Sequence, residues 1–387
     1  MSLAVDVPVV VLGAQYGGLA VARTLGRWGV PVYGVHAVRS AGLRSRYWRG
    51  TFLWDFVRAT HAESLQFLLE IAREIGRRPI LIPANDVTAL FVERAANGLA
   101  DRYIFPQVRP GLIHDLVNKA RLSSMAEQHG VPVPRVSVPQ SGDDVAAFLA
   151  TAALPVMIKA VDPTGPHGRT KVIAASREAV LAHYDALGTG ARSNLMLQEY
   201  IPGDDATGWT FYGCFGERAE CLAGFAARKI RLSPPTTGVI ALGVTADIEP
   251  VQEQCRRFMT AVGYRGVVNI GGKFDRRDGQ YKVLDVNARL GASFRLCVDA
   301  GGLDVVRVLY LYLTGRSVPP IRPVVGRKWW MEEDLFTFRQ YRRHGGLSTG
   351  AWLRSLAGVR ERAWWAADDP LPGLLWAADR IGRALRH

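Results

Sequence analysis

Three features of this 387-residue sequence predict a mixed α/β (α+β) architecture with more than one domain. Residues 8–35 read strand, glycine turn, helix, strand, which is how a parallel βαβ unit opens. Residues 209–245 read as a run of short antiparallel strands, and 264–287 as a hairpin turning through "DRRDGQ". A chain of this length with 48% apolar residues can bury a substantial core.

The elements follow in order. "PVVVLG" is a short buried strand, "AQYGG" the turn, "LAVARTLGRWG" the helix and "VPVYGV" the second strand. Gly13 and Gly18 match the first and third glycines of a dinucleotide-binding turn. Gln15 replaces the second, and no acid follows the second strand to hold a ribose, so the turn reads as structural. "PILIPANDVTALFVERA" (79–95) gives a strand and a helix capped near Asn85 or Asp86. A domain boundary is placed near residue 115. "NKARLSSMAEQHGVPVPRV" then supplies a short helix that ends at Gly130. "PVMIKAVDPTGPHGRTKVIAA" gives two strands around a Gly/Pro loop, a helix covers about 176–187, and "NLMLQEYIPG" is a strand ending in a turn. A helix at 249–262 precedes the hairpin. From about 321 the chain changes character: six of its ten tryptophans lie there among many arginines, which predicts a helical extension. In "LLWAADRIGRALRH", Leu374, Ala378, Ile381 and Leu385 form one helical stripe. The predicted domains are 1–115, 116–320 with a hinge near 198–203, and 321–387.

Net charge is +13, which favours anionic partners. Arginine carries nearly all of it. The seven lysines stand at 119, 159, 171, 229, 273, 282 and 328, where a compact ammonium is wanted in place of a guanidinium fork. Cys214, Cys221, Cys255 and Cys297 have neither CxxC nor metal-site spacing and read as free thiols in a reducing cytoplasm. There is no signal-like N-terminus, and no apolar run reaches the roughly 18 residues of a spanning helix. The expected location is therefore cytoplasmic, with peripheral contact to the inner membrane surface through the Trp/Arg-rich extension as the alternative to simple packing.

The segment "YKVLDVNARLG" (281–291) carries the most chemistry. On an extended strand Tyr281, Val283, Asp285 and Asn287 share one face, which turns from apolar to carboxylate plus carboxamide, with Arg289 beyond. Two oxygen donors and a guanidinium suit Mg²⁺ held through one carboxylate together with substrate phosphates. Lys159 ends an apolar strand and runs into a loop whose Gly165 and Gly168 free the backbone to fold over phosphates. "LQEYIPG" offers strand-end backbone groups followed by Asp204 and Asp205.

Taken in order, "NKARLSSMAEQHGVPVP", "VMIKA", the glycine loop, "LQEYIPG", "ARKIRLSPPTTGV" and "DVNAR" resemble the ATP-grasp superfamily of carboxylate–amine ligases, in particular modules of the carbamoyl-phosphate-synthase and D-aspartate-ligase type. The likeness covers about 8–320. It implies an ATP-grasp fold preceded by a Rossmann-like pre-ATP-grasp domain, with ATP and Mg²⁺ bound. It further implies that Lys119 and Lys159 contact the α- and β-phosphates and that the Gly165–Gly168 loop covers the β- and γ-phosphates. Gln198, Glu199, Tyr200 and Ile201 would line the adenine, and Asp204 or Asp205 would take the ribose. Asp285 and Asn287 would hold Mg²⁺, Arg289 would face the transferred phosphate, and Arg228, Lys229 and Arg231 would steady its charge. The sequence departs from the pattern in three places: Asp285 stands where Glu is usual, Ala288 where Pro is common, and Asn269 where a second acidic metal ligand is expected. Asp275 is a weak substitute for that ligand.

The reaction implied is amide or peptide-like bond formation between a small-molecule carboxylate and an amine through an acyl phosphate. A two-fold homodimer is the general expectation, and no nucleic-acid partner is expected. A nucleotide-binding regulatory module with reduced turnover is the alternative, supported by Asn269, and a dinucleotide oxidoreductase built on the N-terminal turn is a further one.

Overall fold

A computed structural model of the protein describes residues 6–162, 171–186, 194–343 and 346–384. The first sheet contains β1 (Val9–Leu12), β2 (Val32–His36), β3 (Trp48–Leu53) and β4 (Ile80–Pro83). Its order is β3-β2-β1-β4 and every pairing is parallel. Alternate residues of β1 serve different faces. Val9 and Val11 pack with Leu19 and Ala22 of the helix Tyr16–Gly26, while Val10 and Leu12 pack with Leu68 and Ile71 of the helix His61–Ile75. A central parallel strand covered on both sides must be apolar throughout, which is why "VVVL" shows no alternation.

The second sheet is antiparallel, with order β5-β8-β6-β7, from β5 (Val136–Ser137), β6 (Val156–Ala160), β7 (Lys171–Ala174) and β8 (Leu195–Glu199). Val156, Ile158, Leu195 and Leu197 pack on Val145, Phe148 and Val180 of the helices Gly142–Thr151 and Arg177–Ala186. The alternate residues, Met157, Lys159, Met196 and Gln198, therefore lie on the other face.

The third sheet has seven strands in the order β13-β12-β9-β10-β11-β14-β15. They are β9 (Gly208–Phe215), β10 (Cys221–Ser233), β11 (Val239–Thr245), β12 (Gly266–Asp275), β13 (Gln280–Asn287), β14 (Lys328–Trp330) and β15 (Val359–Arg362). Its back face, with Trp209, Phe211, Ile270, Val283 and Val286, packs under the helix Glu249–Ala261 and the helices of residues 112–128. On its front face Tyr212, Cys214, Phe225 and Val267 join a core with the helix Val305–Leu313. Further along, the same face becomes polar.

The C-terminal part carries the expected helices, Asp334–Arg343, Thr349–Ser355 and Leu371–Ala384. It also extends the large sheet: β14 pairs antiparallel with β11, and β15 pairs parallel with β14. A three-residue strand "KWW" is too short to show a period in sequence. The Trp/Arg composition has a specific use here. Asp334, fully buried, accepts from Arg231, from Trp330 Nε1 at 3.0 Å and from Trp352 Nε1 at 2.9 Å. Arg23 and Asp369 form a second buried pair, at 2.9 Å. Among the described residues no helix is long and apolar enough to cross a membrane.

Candidate active site

Two β-bulges decide which side chains enter the site. In the β12–β13 ladder Gly271 pairs with Asp285 and Gly272 with Val283, so Leu284 is the extra residue. A bulge of one residue exchanges the faces of everything beyond it. This corrects the sequence reading: Tyr281 and Val283 lie on the back face with Phe274 and Gly272, while Asp285 and Asn287 lie on the front with Asn269 and Gly271. The second bulge is in β10, between Lys229 and Arg231. Register with β9 and β11 places Lys229 on the front face and both Arg228 and Arg231 on the back.

Asp285 sits above Gly271, where a Cβ would come within 2.4 Å of its Oδ1. The missing side chain is what makes room for the carboxylate. Asn287 Nδ2 donates to Asp285 Oδ2 at 2.8 Å, and Asn287 Oδ1 accepts from Arg289 at 2.8 Å. Asn269 spends its Nδ2 on Thr210 Oγ1 at 2.7 Å and on the Phe211 carbonyl at 3.3 Å. That turns its Oδ1 toward the Asn287 amide, 3.5 Å away. Asp275 cannot serve as the missing acid, because it is fully buried and bound by Arg277 and Lys282, which hold its carboxyl well below the usual range. No group of three or more His, Cys, Asp or Glu side chains is arranged for a metal among the described residues. One carboxylate with two amide oxygens is nevertheless a donor set that fits Mg²⁺ when phosphates and water complete its shell.

Lysines surround this carboxylate. Burial alone would raise the Asp285 carboxyl; Lys229, the Asn287 hydrogen bond, Lys171 and Lys159 outweigh it and hold the group below its ordinary value. Lys159 is 5% exposed and has no hydrogen bond or ion pair among the described residues. Burial, reinforced by neighbouring Lys119 and Lys171, pushes its ammonium down to about 7. Burial also lowers Lys119, whose Nζ donates to the Ala160 carbonyl at 3.1 Å, and Lys229. Lys171 is the register partner of Lys159 across β6–β7, and its Nζ reaches the Thr237 carbonyl at 3.1 Å, on the loop between β10 and β11. Sequence reasoning missed Lys171 as a site residue, although the scarcity of lysine marked it.

Gln198 is buried on the Lys159 face of the small sheet. Glu199 lies on the opposite face, its carboxylate accepting from Ala153 N at 3.3 Å, so only its backbone can serve the cleft. Ile201 is 3% exposed, and its N–H has no acceptor among the described residues. Lys273, a second residue missed in the sequence, fixes this segment: its Nζ donates to the Ile201 and Gly203 carbonyls at 2.8 Å each and lies 4.9 Å from the Tyr200 ring centroid. The two acids part. Asp204 is exposed and opens on a back-face cavity, while Asp205 is held by Tyr341 and by Leu232 N. Gly165 and Gly168 lie outside the described residues.

The expected arginine cluster does not assemble. Arg231 is 4% exposed and forks onto Asp334 at 2.9 and 2.5 Å, tying β10 to the C-terminal part. Arg228 points to the back of the sheet. Arg289 pairs with Asp86 at 3.0 Å while holding Asn287, and so links the site to the first sheet's helix Asp86–Arg94. The N-terminal glycine turn is closed by protein. A Cβ on Gly17 would meet Ala292 Cα at 3.0 Å, one on Gly18 would meet the Gly13 carbonyl at 1.7 Å, and one on Gly42 would meet the Ala14 carbonyl at 1.9 Å.

Comparison with known proteins adds the following. Residues 244–315 match the family "Carbamoyl-phosphate synthase L chain, ATP binding domain". D-aspartate ligase of Enterococcus faecium (strain Aus0004) is 24% identical over 63% of this chain, and the chain spans 61% of the length of that relative. The biotin carboxylase domain of Hydrogenobacter thermophilus 2-oxoglutarate carboxylase, solved with MgADP, ADP and bicarbonate, superposes with a TM-score of 0.63 at 14% identity, covering 83% of this chain and 73% of that one. L-amino acid ligase from Bacillus licheniformis gives 0.64 at 14% identity, covering 83% and 78%. The fold is the ATP-grasp fold.

Proposed function

We propose that this chain is an ATP-dependent carboxylate–amine ligase working through an acyl phosphate. The observation that carries the reading is the charge balance of the front-face cleft, where Lys119, Lys159, Lys171 and Lys229 gather around one carboxylate, Asp285. Lys159 is buried, Lys119 and Lys229 are partly buried and Lys171 is exposed, and ammonium groups gathered this way around a single carboxylate are costly unless a polyanion joins them. A nucleoside triphosphate supplies that charge, and the Ile201 N–H, which has no acceptor among the described residues, suits an adenine edge.

In this reading Lys119 and Lys159 hold the α- and β-phosphates, and Lys229 steadies the γ-phosphoryl group as a substrate carboxylate oxygen attacks it. The bond from the γ-phosphorus to the bridging oxygen breaks and ADP leaves. The lone pair of the amine then attacks the acyl carbon, phosphate departs with its bonding pair, and the nitrogen loses a proton. Asp285, Asn287 and the Asn269 oxygen would hold Mg²⁺, which when bound neutralises charge on the phosphates. Arg289 positions Asn287. The chemistry is mainly orientation and electrostatic stabilisation, so it needs no protein nucleophile.

Incubation with ATP, Mg²⁺, mixed amino acids and small carboxylates tests the proposal: acceptor-dependent phosphate release is expected. ATP protection against heat without any such release would favour the alternative that Asn269 suggests, a nucleotide-binding module with reduced turnover.

A second reading concerns the C-terminal helix. Leu371, Leu374, Leu375 and Ile381 are 43%, 55%, 38% and 61% exposed on an apolar stripe, beside exposed Arg383. An outward apolar face with arginines alongside suits the surface of an anionic membrane.

A further inference from the structure

The back face of the large sheet holds a cavity of about 310 Å³ that the nucleotide reading does not use. Trp209, Phe274, Tyr281 and Ile248 line it, and Arg228 and Arg276 stand at it. Register separates it from the cleft. Trp209 pairs with Gly272 and Arg228, all on the back, whereas Lys229, Asp285 and Asn287 are on the front.

Two features mark it as a built site. Trp209 is 1% exposed, with its indole nitrogen closed off from the surface and without an acceptor among the described residues, so its ring forms a fixed wall. The indole also has a prepared seat: a Cβ at Gly272 would lie 2.0 Å from Trp209 Cζ2, so only glycine lets the ring rest against β12. Arg228 and Arg276, for their part, make no hydrogen bond or ion pair among the described residues, although the chain pairs many of its other arginines with carboxylates. Phe274 and Tyr281 stand with ring centroids 4.8 Å apart and planes tilted by 47°, giving an aromatic corner. The volume is at the lower end of the range for ligand pockets, and the lining is divided between aromatic or aliphatic side chains and polar ones, which suits a ligand with an apolar body and a charged group.

We propose that the cavity behind Trp209 binds a small anion, carboxylate or phosphate, carried on a flat apolar body, with the two guanidiniums on the anion and the aromatic side chains against the body. Asp204, also at the cavity, disfavours a second negative group on the ligand. The inference does not rest on the ligase reading.

The test is the Trp209 indole N–H resonance of the ¹⁵N-labelled full chain, assigned with Trp209→Phe. Titration with 3-phenylpropionate and with phenyl phosphate is expected to move it saturably, with and without saturating MgADP. Arg228→Ala/Arg276→Ala, which changes two exposed side chains, should weaken that response at least tenfold. The proposal is overturned if neither probe moves the signal, if benzyl alcohol or inorganic phosphate moves it equally well, if the double variant responds like the parent, or if MgADP competes.

Discussion

Asn287 donates to Asp285 at 2.8 Å over the strand residue between them, and both project from β13 only because Leu284 is bulged. The pair is therefore aimed by backbone irregularity and held by a single amide. Asp285→Asn is expected to lower kcat/KM by about 10²–10³, as for loss of one preorganised charged group, with an unchanged far-UV spectrum. Gly271→Ala puts a methyl where Oδ1 lies and should reduce turnover without touching any ligand. Steady-state phosphate release measures both. Full activity in either variant would remove Asp285 from the site.

Lys159 gives a pH signature. With its ammonium at about 7 when no nucleotide is bound, it is charged at pH 6 and mostly neutral at pH 8.5. A bound polyphosphate restores the charge, so MgATP binding should take up nearly one proton per site at about pH 8.5 and almost none at about pH 6. Calorimetry in buffers of different ionisation enthalpy reads this directly. The same group sets a sign for stability. Between about 7 and 10.5 the unfolded chain binds the proton and the folded chain does not, so this lysine makes the ligand-free protein more stable as pH rises through that window.

The C-terminal part is predicted to be integral to the sheet. Asp334→Ala strands Arg231 and two tryptophan N–H groups in the interior and should cost about 3–5 kcal/mol in chemical denaturation. Truncation after residue 325 removes β14 and β15, uncovers the edge of β11, and should give an insoluble chain. An active, soluble truncation would refute this.

The outward stripe of the last helix gives a binding prediction. Leu374→Ser/Ile381→Ser should abolish co-sedimentation with phosphatidylserine-containing vesicles and leave thermal stability within about 0.5 kcal/mol, since both side chains are exposed. Equal sedimentation of the variant and the parent would exclude the helix as the contact.

The sequence made much of this legible, and for physical reasons. Buried parallel strands such as "VVVL" announce themselves by being apolar throughout, and a glycine turn before a helix marks the βαβ opening. Lysine scarcity pointed to the cleft, because an otherwise arginine-based chain places four of its seven lysines around Asp285 and a fifth on the Ile201 carbonyl. What the sequence hid were register shifts. A period of two assigned Val283 to the face of Asp285, which the extra residue in β13 undoes; the resemblance grouped Arg228, Lys229 and Arg231, but Arg228 faces away from Lys229 by ordinary alternation and the extra residue in β10 turns Arg231 away as well. Nothing local to "ARKIR" reveals that Arg231 meets a carboxylate 103 residues later.

Calorimetric titration of the full chain and of Lys159→Ala with MgATP shows whether the lysine cradle on the front face grips a nucleotide. The account predicts saturable one-site binding that weakens by about 2 kcal/mol, roughly thirtyfold, when the charged contact is lost. Absence of binding, or identical affinity in the variant, would contradict it.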